Sequence, residues 1–148
     1  MKAFTDNAGK TWSVAMTIDS VKRVRDLLGV NLVEPEAGEP PLLTRLGTDE
    51  ILLCDVVYCL IKPQADALGV TDVDFGRALG GDAILAAQTA LYEELIDFFQ
   101  KRGRPDRAKA VAAQKTMIEM AVENVRLRLE AMNPQAELAK ILGSSSTS

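Results

Sequence analysis

The side chains able to do chemistry in this chain are few, and one type is missing. The 148 residues contain no histidine. Imidazole is the usual base near neutral pH and the commonest metal ligand. Ser-His-Asp and Cys-His nucleophile systems therefore lack their base within a single chain, and a tetrahedral Cys/His zinc site lacks its nitrogen ligands. The two cysteines, Cys54 and Cys59, do not have the CxxC spacing of redox or zinc motifs. Five positions apart on one helix, they point about 140° away from each other. They read as two small buried apolar side chains in a reducing compartment.

Glu93, Glu94 and Asp97, with Glu119 and Glu123 on the next helix, could form a carboxylate cluster. Helical di-iron sites need Glu-x-x-His pairs projecting inward; without them these carboxylates read as solvated helix faces. Gly80 and Gly81 precede a helix start, where a phosphate could sit. The segment lacks the lysine and hydroxyl of a P-loop and the spacing of a dinucleotide site, and reads as a cap turn. Lys101, Arg102, Arg104, Arg107 and Lys109 form a basic cluster around one turn, and Lys22, Arg23 and Arg25 a smaller one. They either complement helix dipoles or dock an acidic segment or nucleic acid. No aromatic is interleaved with either cluster, as a single-strand platform requires, and the net charge of −4 runs against a polyanion partner. Trp12, the only tryptophan, is either an interface anchor or a staple between a hairpin and helices. No catalytic, cofactor or metal residues are predicted, and the chain does not read as an enzyme.

The expected fold is mainly α, with an N-terminal β-hairpin (three short strands if Val30 to Val33 adds one) and a bundle of about four to six helices. Few aromatics and 47% hydrophobic residues call for a core of Leu, Val, Ile, Ala and Met. Trp12, Val14, Met16 and Ile18 alternate with polar or small residues, the period of a half-buried strand, and Asn7 to Lys10 supplies the turn. Asp19 or Ser20 caps a helix with Val21, Val24, Leu27 and Leu28 on one face, and Gly29 stops it. Glu34 to Pro41 is a loop rich in proline and glutamate, and the internal boundary falls there. Residues 1–34 form the hairpin and short helix, 42–142 a helical body packed with them as a single domain, and 143–148 a polar tail.

Leu42 to Leu46 could make one helical turn. Thr48 is expected to cap the next helix, which is apolar nearly all round from Ile51 to Ile61 and so central. Pro63 ends or kinks it. Thr71 to Asp74 has the capping-box form, and Asp82 caps a helix running to about Gln100, with Glu93, Glu94 and Asp97 largely on its wet side. Pro105 suits a helix N1 position. Ile118, Val122, Val125, Leu129 and Met132 then repeat at four, three, four, three, a coiled-coil-like seam about two heptads long, or else the core-facing stripe of one more helix. Asn133 and Pro134 end the helix, and residues 134–142 could add a last turn. The N-terminus has no apolar signal-peptide core, and the run from Ile51 to Ile61, broken by Asp55, is too short to span a bilayer.

Four segments carry a family resemblance: Phe4 to Trp12, Val21 to Leu32, Phe75 to Leu79 and Ala90 to Phe99. Together they resemble the small tail assembly chaperones encoded in phage and prophage gene clusters. The resemblance covers roughly residues 3 to 100. It implies a small, mostly helical, non-enzymatic protein of the host cytoplasm that binds a tape-measure or tail tube protein before the tube polymerises. The candidate contact residues come from pattern alone: Ile118, Val122, Val125 and Leu129 on the seam, Trp12 on the hairpin, and Arg102, Arg104 and Arg107 in the basic turn. A homo-oligomer is compatible with the pattern. A structural virion or tail adaptor is the alternative reading, and a small regulatory nucleic-acid-binding protein the second.

Overall fold

The computed structural model describes residues 2–132. Among them, a two-stranded antiparallel sheet precedes six helices, so the chain is mainly α with an N-terminal hairpin. The chain divides into two compact units within its last helix, one ending at Lys115 and one beginning at Thr116. The composition of the Glu34–Pro41 loop points to an internal boundary there instead.

The first unit opens with β1 (Lys2–Thr5) and β2 (Thr11–Val14), in register with Phe4 opposite Trp12. The turn between them is organised by one carboxylate. Asp6 Oδ1 accepts from the backbone N–H groups of Ala8 and Lys10 at 2.9 and 3.0 Å, and Oδ2 accepts from Trp12 Nε1 at 2.8 Å. Gly9 takes φ 81° to close the loop. The outer edge of β2 is covered by Gln64, which accepts from Ser13 N–H at 3.0 Å and donates to Ser13 C=O at 2.7 Å. An unpaired strand edge is thereby closed by one side chain.

Helix α1 (Ile18–Leu28) is capped by Thr17, in a capping box with Ser20, rather than by Asp19 or Ser20. The alternation of Trp12 to Ile18 hides this, because it reads as strand up to the helix's own first residue. The expected third strand is absent: Val30 to Val33 runs through turns, with Leu32 buried as a plug. After the loop come α2 (Leu42–Thr48) and α3 (Glu50–Leu68). Thr48 ends α2, and Asp49 caps α3 by accepting from Leu52 N–H at 3.0 Å. Helix α3 packs against α1, α2, β2, α5 (Asp82–Lys101) and α4 (Asp72–Arg77), and is the centre of the unit. Thr71 caps α4 with the capping box its sequence predicts.

Pro63 does not end α3; the helix continues through it to Leu68. Proline cannot donate to the carbonyl four residues back, which here is Cys59 C=O. Arg23 of α1 supplies the missing donor, its Nη1 lying 2.9 Å from that oxygen. This predicts a coupled pair. Arg23→Met should cost about 1.5 kcal/mol, and most of that cost should vanish in a Pro63→Ala background, where residue 63 recovers its N–H. Denaturant unfolding of the four proteins in the cycle measures it; equal costs in both backgrounds would refute the repair.

Four rings meet where the hairpin joins the helices. Phe75 of α4 packs edge-on to Phe4 and Trp12 at centroid distances of 6.3 and 5.8 Å and tilts against Tyr58 at 5.4 Å. Trp12 is 0% exposed. Glu94 is a correction to the wet-side reading of α5: it is buried, and its Oε1 accepts from Met16 N–H at 3.1 Å. Helix α6 (Pro105–Ala131) starts at Pro105, as a helix N1 proline should, and its first turns bury Ala108 and Val111 in the first unit. The expected break at Asn133 and Pro134, the last turn over 134–142 and the polar tail lie outside the described residues.

Candidate partner-binding surface

Beyond Val111, helix α6 stops burying side chains. From Thr116 to Ala131, the part belonging to the second unit, none is fully buried. Val122 is 38% exposed, Val125 53% and Leu129 65%, and Ile118 is half-buried. At about 100° per residue these four lie within a sector of about 60°. The stripe is therefore a seam open to solvent along most of its length, not one more core-facing helix. Met117, Met120 and Leu127 add exposed apolar surface on other sides. One wedge is polar: Arg126 bridges Glu123 and Glu130, at 2.6 and 2.8 Å. Monomeric proteins seldom leave apolar side chains in such continuity, and continuous apolar surface marks interaction sites.

The other predicted contact residues have internal work. Trp12, sealed beneath the hairpin with its indole N–H committed to Asp6, cannot reach a partner; it is the staple. Arg107 donates to Val33 C=O at 2.5 Å and to Glu36 Oε1 at 2.6 Å, tying the Val30–Pro41 segment to the start of α6. Arg104 forks onto both oxygens of Asp106 at 3.0 and 2.8 Å and holds that carboxyl down at about 2. Arg102 lies over the Phe98 ring at 5.7 Å, and Lys101 pairs with Asp97 at 2.9 Å. Of this basic cluster, Lys101, Arg104 and Arg107 are each matched by a carboxylate, which lowers the positive field there. An open hollow of about 450 Å³ beside it is lined by Pro35, Pro41, Leu43, Ala110 and the Arg104–Asp106 pair.

Among the described residues no three Cys, Asp or Glu side chains are placed to hold a metal ion. Burial, aided by Asp55 and Asp72, pushes the Cys54 thiol from 9.0 up to about 11, and burial raises Cys59 as well. Nucleophilic cysteines need the opposite shift. Neither thiol is in a disulfide. The sign follows from burial of the neutral form: its contribution to stability is complete below the ordinary thiol value and fades as pH climbs toward 11.

One surface escaped sequence reasoning. Ile51, 77% exposed at the start of α3, lines a shallow notch of about 350 Å³ together with Glu50, Cys54, Asp55 and Asp72. An all-apolar helix conceals which of its residues face out, and Ile51 looked as central as Leu53.

No protein-family model, curated protein or solved structure matches the chain. No helix of the described residues is long and apolar enough to cross a membrane.

Proposed function

We propose that this chain is a non-enzymatic protein-binding module, a tail assembly chaperone that holds apolar helices of a tape-measure protein in the host cytoplasm until the tail tube forms. The observation supporting this is the solvent-open seam of Ile118, Val122, Val125 and Leu129 on α6. Recognition is helix against helix, read through anchors three and four residues apart. A folded first unit carries this helix, and the partner's apolar residues replace water along it. Trp12 takes no part, its ring being buried beneath the hairpin.

Co-expression with the tape-measure protein of the same gene cluster tests the reading. The two are expected to co-purify, and Val122→Asp, at a position 38% exposed in the free chain, should weaken capture by at least about tenfold, because a carboxylate buried without a partner is costly. A tape-measure protein that stays insoluble and unbound in the presence of the wild-type chain would remove it. Mass spectrometry of mature particles separates this reading from a tail adaptor, since a chaperone leaves the finished particle.

A further inference from the structure

The seam has a charge pattern that fits one partner in particular, a second copy of itself. Its spacing assigns Ile118 and Val125 to heptad position d and Val122 and Leu129 to position a. Position e is then Glu119 and Arg126, and position g is Ala121 and Arg128. We propose that two chains pair through α6 as an antiparallel two-helix seam, with Val122 stacked on Val125 of the second copy and Ile118 on its Leu129. In an antiparallel pair the e row of one helix runs beside the e row of the other. Glu119 then meets Arg126 of the second copy, and the two-fold axis repeats the contact. A parallel pair sets e against the g of the other helix, bringing Arg126 beside Ala121 and Glu119 beside Gln114, with no opposite charges matched. Position e therefore selects the orientation as well as the occupant.

The surroundings support pairing of this kind. The seam residues are the apolar stripe, and Glu119 and Arg126 border the same side of it, at about 100° and 80° from Ile118 around the helix. Arg126 is held beside the seam by Glu123 and Glu130 at 2.6 and 2.8 Å, and its guanidinium has five N–H donors, enough to add a contact to Glu119 of the second copy. Two heptads make a short interface, below the size of stable permanent dimers, so the association is micromolar and reversible. Pairing covers the seam when no client is present and yields to one that binds more tightly. This rests on the chaperone reading only in taking the seam as a helix-docking surface, and it is tested without any client.

Analytical ultracentrifugation of the full purified chain across a concentration series reads it directly. The weight-average mass should climb from one chain to two, and Val122→Asp should hold it at one chain with an unchanged circular dichroism spectrum. Glu119→Lys alone and Arg126→Glu alone should each weaken pairing by about tenfold, because each turns two attractive contacts into two repulsive ones. An equimolar mixture of these two variants should pair as the parent does. In the mixed dimer the introduced lysine faces the introduced glutamate, and the unaltered Arg126 of one chain still faces the unaltered Glu119 of the other. A chain that is monomeric at every concentration, a dimer indifferent to Val122→Asp, a trimer or larger species, or a mixture that pairs no better than its components overturns the proposal. Failure to bind a tape-measure protein leaves these results untouched, so the two readings fail separately.

Discussion

Phe75→Ala is expected to lower the stability of the first unit by about 4 kcal/mol, within the range for emptying a buried aromatic site. The ring is fully buried and touches Phe4, Trp12 and Tyr58 at once. Its removal leaves a cavity that no neighbour can fill without moving the hairpin, because those three rings come from β1, β2 and α3. Edge-to-face packing is lost together with the area. Guanidinium unfolding followed by tryptophan fluorescence reports it, and the single tryptophan lies in the cluster being probed. Phe75→Leu, which keeps most of the volume, should cost about half as much. A loss below about 1 kcal/mol for the alanine variant would mean that the ring cluster is not the joint between hairpin and helices.

Asp6→Ala should cost about 3 kcal/mol. One carboxylate accepts the indole N–H and two turn N–H groups at 2.8 to 3.0 Å, and its removal strands the buried indole donor while the turn loses its organiser. Unsatisfied buried donors carry the larger share of such a penalty, at about 1–3 kcal/mol each. Asp6→Asn is the informative companion: an amide has one acceptor oxygen in place of two, so it should recover part of the loss and no more. Full recovery by asparagine would show that shape, not acceptor count, holds Trp12.

Much of the fold was legible in the residues. The alternation around Trp12, the turn residues, the Thr71 capping box and Pro105 at a helix start are local signals, and local signals survive tertiary context. The failures have two causes. Thr17 rather than Asp19 or Ser20, Asp49 rather than Thr48 and the buried Glu94 are each settled by a partner distant in sequence or by competition between adjacent caps. Glu94 is the clearest case: i, i+4 arithmetic sees a carboxylate beside Glu93, not the Met16 N–H, 78 residues away, that it accepts from. The seam was legible as a pattern. Whether it faced a core or water was not, since a two-heptad stripe looks the same in both settings. Trp12 was undecided for the same reason, and its burial resolved it.

The Arg23 guanidinium on the Cys59 carbonyl has a consequence for how the chain assembles. The end of the central rod lacks the means to complete itself, because the link that proline deletes is restored only from a segment thirty-odd positions earlier. The stretch of that rod past residue 62 is thus braced by the amino-terminal third, and a fragment lacking that third should fray more readily there. Backbone deuterium uptake just beyond Pro63 should rise and fall with the anchoring of α1 rather than with the intrinsic helicity of its own neighbourhood.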